Sequence, residues 1–257
     1  MGRLIASWSG GKDSTASIIL CRHLEQQGVK DVHIDEIVFA EVMYDLKRGI
    51  SAEAPDHIEF MRSAIPIFES WGYPVRVLRA DTDYLSLFMR KQVRPRLRPE
   101  HAGMCRGFPL KACWARRDLK VRVIEKFNKL LEPDAVSLVG ICADEPRRLE
   151  SMYRDPHRRS ILAEQGITQA MAMQICEEHG LLSPIYRRLG NKRTGCWLCP
   201  FAKPAEQALV PSEIWEEFCA LEKLPNVASP RWQPFRNGET LAERNQLVEQ
   251  LRRQLNR

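Results

Sequence analysis

The residues of this chain best suited to chemistry form the stretch Ser9-Gly10-Gly11-Lys12-Asp13-Ser14. An apolar run precedes this stretch and a helix-forming run follows it, which predicts a strand, a glycine turn and a helix. Backbone N–H groups at a helix start lack partners, and glycines let an anion approach them closely. Lys12 adds a cation, the two serines add hydroxyl donors, and Asp13 either caps the helix or holds Mg²⁺. The expected ligand is therefore a phosphate or a sulfate group.

The glycine stretch differs from a Walker loop, which needs Gly, four residues and then Gly-Lys-Ser/Thr. Ala6 stands where the first glycine belongs, and Asp13 replaces the hydroxyl residue. The stretch instead resembles the SGGxDS pyrophosphate loop of the adenine nucleotide alpha-hydrolase superfamily, whose members split ATP between the alpha and beta phosphates or bind phosphoadenylyl sulfate (PAPS). The resemblance implies that residues 9–14 bind the nucleotide and that Lys12 and Asp13 are catalytic. The alternative is an ordinary helix cap with glycines for a tight turn.

Two acidic residues, one near the end of the predicted second strand over residues 36–43 and one after it, are further candidates for the nucleotide site. Glu41 lies near the carboxyl end of this strand, where open α/β sheets bind ligands, so it suits a ribose or a metal ion. An equally good interpretation is strand-end polarity that faces water. Glu53 stands at the start of a helix, and PAPS reductases carry an acidic residue at the matching position, which implies contact with the nucleotide.

A helix further along the chain extends the resemblance. Trp114, Leu119 and Lys120 match the Trp-Cys-Thr-x-x-Leu-Lys helix of PAPS reductases and of the DNA phosphorothioation sulfurtransferase. Ala115 occupies the family cysteine position, and Cys113 lies just before the tryptophan instead. The match makes Lys120 a candidate phosphate contact, whereas an amphipathic helix with a basic face in water is the alternative.

A predicted fourth strand, over residues 135–141, leads into Gly140-Ile141-Cys142-Ala143-Asp144-Glu145-Pro146-Arg147-Arg148. This segment resembles the late superfamily signature that ends in Asp-Glu-x-x-Arg. A guanidinium from Arg147 or Arg148 would hold phosphate or sulfate oxygens, and we assign Arg147 to catalysis and Arg148 to binding. Gly140, Asp144 and Glu145 complete this part of the predicted nucleotide site, while Cys142 is expected to be a small buried residue.

Four of the eight cysteines form a predicted metal site. Cys196 and Cys199 have the CxxC spacing that lets two sulfurs face one ion. Cys105 and Cys113 lie in a loop and at a helix start that border the predicted ligand edge of the sheet. The spacing accepts zinc and a [4Fe–4S] cluster equally, and unliganded thiols are the third interpretation. The resembling thiolation and reductase families use the iron–sulfur cluster, which implies it here.

The stretch Leu181-Leu182-Ser183-Pro184-Ile185-Tyr186, followed by Gly195-Cys196-Trp197-Leu198-Cys199-Pro200, resembles PAPS reductase-like proteins of phage and mobile elements. With it, the resemblance covers most of residues 1–205. It implies an α/β fold, with an open, Rossmann-like parallel sheet and helices on both faces. Residues 206–257 carry no visible motif and predict a helical C-terminal extension.

Composition limits the class of protein. The chain has 257 residues, is 44% hydrophobic and contains no repeat, which indicates a globular protein with one large domain or one domain and an addition. No membrane span or signal peptide is predicted, so the cytoplasm is the expected compartment. A net charge of +6, with arginines clustered near residues 94–98, suits either a nucleic-acid partner or a solvated basic surface.

The combined prediction is an ATP pyrophosphatase that transfers sulfur to a nucleic acid or nucleotide through an adenylated intermediate. A sulfur-donor protein such as a cysteine desulfurase would then be a partner, and the oligomeric state, including a homodimer, stays open. The first alternative is a PAPS or adenylyl sulfate reductase, although the last cysteine is Cys219 and the Cys-Gly-x-His-like tail of such enzymes is missing. The second is a subunit that binds nucleotide or nucleic acid without chemistry.

Overall fold

The computed structural model describes residues 2–93, 95–96, 99–109, 113–188, 190, 195–228, 235 and 238–255. Arg94 and Arg98, which belong to the predicted basic cluster, lie outside these residues. The chain forms two compact units, and each is assembled from three segments. The first unit comprises Met1–Ala40, Asp56–Leu78 and Ile124–Thr194, and the second comprises Glu41–Pro55, Arg79–Val123 and Gly195–Arg257.

The strands of the described chain are β1 Leu4–Ser7, β2 Glu36–Ala40, β3 Met43–Asp45, β4 Ile50–Ser51, β5 Val75–Leu78, β6 Val136–Leu138 and β7 Arg158–Arg159. In the first unit, a parallel sheet has the spatial order β5-β2-β1-β6-β7. In the second unit, β3 and β4 form an antiparallel pair. The predicted α/β class with an open parallel sheet is therefore confirmed.

The helices of the described chain are α1 Lys12–Gln26, α2 Pro55–Ser70, α3 Tyr84–Phe88, α4 Trp114–Arg116, α5 Arg122–Asn128, α6 Pro146–Met152, α7 Ile161–Glu164, α8 Gln169–Glu178, α9 Pro184–Arg188, α10 Pro204–Gln207, α11 Ser212–Ala220 and α12 Leu241–Leu255. A π-helical turn, Arg117–Val121, separates α4 from α5, and short 3₁₀ turns occur at Pro99–His101 and Leu221–Lys223. None of the helices found in these residues is long and apolar enough to cross a membrane.

The sheet forms because β1 and β2 are almost uniformly apolar, as expected of parallel strands that are covered on both faces. Trp8, just after β1, packs edge-on against Phe39 and Phe68, at ring-centroid distances of 6.2 and 5.1 Å. The Trp8 indole also donates a hydrogen bond to the hydroxyl of Thr15 in α1. These contacts fix the helix relative to the strand that precedes it, and so they fix the loop between the two elements.

The core of the second unit is aromatic. Phe218 of α11 lies at its centre, with its ring 5.3 Å from that of Trp197 and 5.7 Å from that of Phe108. Leu241 and Val248 of α12 are fully buried in the same cluster. The predicted C-terminal segment is thus helical, and its apolar residues complete this core.

Candidate functional site

The glycine loop connects β1 to α1 and is held together by its serines. The Ser14 hydroxyl donates to the Gly11 carbonyl at 3.1 Å and accepts from the Ser9 backbone N–H at 3.2 Å. Gly11 is the N-cap of α1 and has no side chain to cap the helix. The N–H groups of the first turn, including those of Asp13 and Ser14, therefore have no acceptor within the helix and can bind an anion.

The cationic and acidic groups of the loop form a small cluster with the residues that follow β6. Lys12 pairs with the Asp13 carboxylate, and the Cys142 thiol donates to the same carboxylate at 3.2 Å. Burial and the hydrogen bond to Asp13 raise the pKa of Cys142 well above its ordinary value, so its sulfur is a neutral thiol at pH 7. Asp13, Cys142 and Glu145 place one potential ligand atom each within 4.8 Å of one another.

This cluster fits a magnesium ion through its two carboxylates. Mg²⁺ binds proteins through one or two carboxylates and takes its remaining ligands from phosphates and water. Asp13 and Glu145 are now paired with Lys12 and Arg148, whose cationic groups would be free to meet phosphate oxygens once a metal neutralised the carboxylates. The protonated Cys142 thiol is a poor ligand for such a hard cation.

A cavity of ≈ 370 Å³ lies over the loop. It is lined by Ser9, Gly11, Asp13 and Ser14, and by Gly140, Arg148, Arg158 and Tyr186 from later parts of the first unit. Gly140 is required there because a Cβ atom would stand 2.5 Å from the Ser14 nitrogen. Loop donors and two arginine side chains thus line one cavity, an arrangement that suits a ligand with several anionic oxygens.

His57 of α2 supports the glycine loop through a hydrogen bond to the loop backbone. Its Nε2–H donates to the Ser9 carbonyl at 3.0 Å, and its Nδ1 lies 2.9 Å from the Ser183 hydroxyl. Carbonyl and N–H of one trans peptide point in opposite directions. By holding the Ser9 carbonyl, the buried imidazole therefore turns the Gly10 N–H away from itself. Gly10 itself has a φ of +67° and lies against the imidazole ring.

The remaining predicted site residues of the first unit lie on and around helix α6. Arg147 is exposed and does not line the cavity, whereas Arg148 does. Glu145 binds Arg148 at 2.6 Å and accepts from the Cys142 N–H at 3.0 Å, so it positions that arginine. Asp144 accepts from the backbone N–H of Gln169 at 3.0 Å, at the start of α8.

Glu41, Glu53 and Lys120 belong to the second unit. Glu41 is buried and forms a 2.7 Å ion pair with Arg79. The Lys120 ammonium lies 3.5 Å from the Glu53 carboxylate. Burial opposes the charge of Lys120, yet the negative charge of Glu53 raises the pKa of this lysine above its ordinary value, so it is cationic at pH 7.

Three of the four predicted metal-binding cysteines gather in the second unit around Tyr84. The Tyr84 hydroxyl is buried and has no hydrogen-bond partner among the described residues. Burial raises the pKa of Tyr84 well above its ordinary value, and the sulfurs of Cys113, Cys199 and Cys196 lie close enough to contribute to this shift. Burial likewise raises the pKa of Cys196 well above its ordinary value, so its sulfur is a neutral thiol at pH 7. Two further contacts involve these cysteines or their neighbours. Cys196 forms a backbone bridge with Glu53, and the ring of Trp114, next to Cys113, stacks 5.0 Å from that of Tyr84.

Cys105 is placed by its backbone rather than by this cluster. Its N–H donates to the Asn226 carbonyl at 2.7 Å, and its carbonyl accepts from Ala228 at 2.8 Å. Throughout the described residues, no three cysteine sulfurs lie within 4.8 Å of one another. Four thiolates on one zinc ion, with Zn–S bonds of 2.3 Å, would lie about 3.8 Å apart. The described cysteines are therefore not arranged as a closed zinc site.

The fold and the site together define an α/β protein with a glycine loop and a cavity at the carboxyl ends of its central parallel strands. Among solved structures, the phosphoadenylyl-sulfate (PAPS) reductase from Candida auris, in a phosphate complex, is similar to this chain. The TM-score is 0.46 and the sequence identity is 11%, over 77% of this chain and 82% of the reductase chain. No protein-family model and no curated protein sequence matches the chain.

Sequence reasoning missed His57, Arg158 and Tyr186. Tyr186 ends the stretch that begins at Leu181, which we singled out only for its resemblance to other proteins. Arg158 was not singled out as a site residue, although it lies on the edge strand β7 and lines the cavity. Nothing in the sequence around His57 marks it as a support for the loop, because helix α2 reads as an ordinary amphipathic helix.

Proposed function

We propose that this protein binds an adenine nucleotide in the glycine loop and cleaves ATP between the alpha and beta phosphates, in order to transfer sulfur through an adenylated intermediate. The observation that carries the proposal is the cavity that residues of the glycine loop line together with Arg148 and Arg158. We also propose that the chain belongs with the PAPS reductase-like proteins of the adenine nucleotide alpha-hydrolase superfamily, of the phage type. Residues 9–14, 140–148 and 196–199 support that assignment.

In the proposed reaction, an oxygen of the acceptor attacks the alpha phosphorus and the bond to the bridging oxygen of the beta phosphate breaks. Pyrophosphate leaves with that electron pair, and the loop N–H groups and Lys12 stabilise the growing negative charge. Arg148, which lines the same cavity, holds the alpha phosphate. Hydrosulfide then displaces AMP from the adenylated acceptor, so that the bond to the AMP oxygen breaks, a bond to sulfur forms and the thiolated product results. A persulfide would displace AMP in the same way but would leave a disulfide on the acceptor, from which a second thiol releases the thiolated product by disulfide exchange.

Two groups would assist this chemistry. Asp13 and Glu145 would hold Mg²⁺, which neutralises phosphate charge when bound. Cys113, Cys196 and Cys199, with Cys105 as the predicted fourth ligand, would hold a [4Fe–4S] cluster, which supplies electron transfer or a binding position for sulfur. Lys120 pairs with Glu53 and lies close enough to Cys196 to interact with its sulfur.

Replacing Lys12 by alanine should weaken ATP binding by about 1.5–3 kcal/mol, the range for a hydrogen bond to a charged group. The affinity is measured by calorimetry with Mg²⁺ present, and Lys129→Ala, an exposed lysine of the same unit, is the control.

Wild-type protein incubated with ATP, candidate nucleic acid and sulfide should form AMP and pyrophosphate.

The products of that incubation distinguish the candidate functions. ADP would refute cleavage at the alpha phosphorus. Thiol-dependent release of sulfite from PAPS, with ATP untouched, would assign the protein to the reductases instead. Nucleotide binding without any product would leave a binding subunit as the function.

Changing Cys113, Cys196 or Cys199 to serine should lower the iron and sulfide content of anaerobically purified protein, because metal binding and local folding are linked. Metal analysis and the visible spectrum measure this content. Cys219→Ser, a partly buried thiol of α11, is the matched control and should keep its iron. A full iron content after Cys105→Ser would show that Cys105 is not a ligand of the site. Zinc in place of iron in the wild-type protein would contradict the iron–sulfur cluster.

A further inference from the structure

The stretch from Leu181 to Tyr186 has no part in the reaction proposed so far, yet it is linked to the glycine loop twice. One link runs through His57 and the other is a direct hydrogen bond. Ser183 hydrogen-bonds to His57, which holds the Ser9 carbonyl. Tyr186 contacts the loop directly, because its hydroxyl oxygen accepts from the Lys12 backbone N–H at 3.1 Å. Both residues are buried, so these contacts are built into the first unit.

The hydrogen bond with Lys12 determines whether the Tyr186 hydroxyl acts as a donor or an acceptor there. The Lys12 N–H is the first of helix α1, and the N-cap Gly11 offers it no side-chain acceptor. A backbone N–H can only donate, so the phenol oxygen is the acceptor and the phenol proton is left to donate elsewhere. Tyr186 lines the cavity together with Ser9, Gly11 and Ser14, so an anion bound in that cavity would offer an acceptor for this proton.

We propose that Tyr186 is an anion-binding residue, whose O–H donates to an oxygen of the phosphate chain in the loop while its oxygen still accepts from Lys12. This inference rests on the proposed function, because it requires a phosphate ligand at the loop. Donation from Lys12 polarises the phenol and makes its O–H a stronger donor. Tyr186 thereby extends the row of backbone donors with one side-chain donor.

A phenol in this position favours an ionised ligand. Hydrogen bonds to charged acceptors are roughly twice as strong as those between neutral groups. Burial raises the pKa of Tyr186 to about 12, although the Lys12 N–H opposes this shift. The hydroxyl therefore keeps its proton between pH 7 and pH 9 and does not repel an anion as a phenolate would.

The test measures the binding of inorganic pyrophosphate, with Mg²⁺ present, to the full chain by calorimetry. Tyr186→Phe removes only the hydroxyl and should raise the dissociation constant about tenfold, the low end for a hydrogen bond to a charged group. The factor should be the same at pH 7 and pH 9. Tyr73→Phe is the matched control, because its hydroxyl binds Glu25 at 2.6 Å and does not line the cavity.

The outcomes separate this inference from the proposed function. If wild-type protein does not bind pyrophosphate, the nucleotide site fails, and the inference fails with it. If wild type binds and Lys12→Ala weakens binding, but Tyr186→Phe binds equally or more tightly, only the inference is overturned, since the phenol then merely occupies the Lys12 N–H. Should Tyr186→Phe fail to fold, ¹⁹F NMR of fluorotyrosine-labelled wild type replaces it. The Tyr186 signal should then shift with pyrophosphate, and an unchanged signal overturns the inference.

Discussion

Replacing Gly10 by alanine should abolish pyrophosphate binding and destabilise the first unit more than any other single methyl group added to the loop. Gly10 has a φ of +67°, a conformation that costs an L-residue about 1–2 kcal/mol. In addition, a Cβ atom would stand 2.5 Å from Cε1 and 2.8 Å from Nε2 of His57. The imidazole is fully buried and cannot move aside, so overpacking adds about 1–3 kcal/mol.

The loss of binding follows from the same geometry. The added methyl group pushes the loop away from His57 and breaks the hydrogen bond to the Ser9 carbonyl. The Ser9–Gly10 peptide is then free to rotate, and the Gly10 N–H loses its fixed direction. The N–H donors of the loop are then no longer preorganised, and ordering them when the ligand binds costs part of the binding free energy.

Gly180→Ala is a matched control for this substitution. Gly180 belongs to the same unit and has a φ of +66°, but a Cβ atom there would meet nothing within 4 Å. Urea unfolding of the two variants therefore separates the backbone cost, which they share, from the contact with His57. Equal stabilities and unchanged pyrophosphate affinity would show that the loop tolerates displacement, and would contradict a preorganised anion site.

The sequence predicted the glycine loop because its signals are local. Strand, glycines, lysine and serine hydroxyls follow one another within a dozen residues, and a helix start imposes its unpaired N–H groups wherever it occurs. The parallel strands were predicted for the same reason, since a short apolar run without alternation is a property of the run itself. The second strand shows the limit, because pairing ends it at Ala40, whereas the apolar pattern continues to Met43.

The supports of the loop could not be predicted, because they come from far along the chain. Tyr186 and Lys12 are 174 residues apart, and His57 and Ser9 are 48 apart. No local pattern encodes such contacts, which depend on how α2 and α9 pack. The choice between Arg147 and Arg148 was undecidable for a different reason. Neighbouring residues of a helix point about 100° apart, so the phase of α6 alone decides which one lines the cavity.

The turn that carries Cys196 and Cys199 is tied to the C-terminal helix by one buried arginine. Arg244 of α12 donates to both carboxylate oxygens of Glu239, each at 2.6 Å. It also donates to the carbonyls of Ala202 and Pro200, just beyond Cys199, at 2.9 and 3.4 Å. The buried guanidinium is thus the shared donor for a partly exposed carboxylate and two backbone carbonyls. It links the packing of α12 to the cysteine turn.

Arg244→Met should therefore destabilise the second unit by about 3–5 kcal/mol, because it keeps the apolar stem but leaves a carboxylate and two carbonyls without their donor. Hydrogen exchange should rise first in residues 195–210, and the iron content should fall with it if the cysteines hold a cluster. Arg253→Met, an exposed arginine of the same helix, should change the unfolding free energy by less than about 0.5 kcal/mol. Arg244→Lys should recover part of the stability, since an ammonium satisfies some of the same acceptors but lacks the planar fork. Equal stability of the two methionine variants would show that α12 packs through its apolar face alone, and that the cysteine turn does not depend on it.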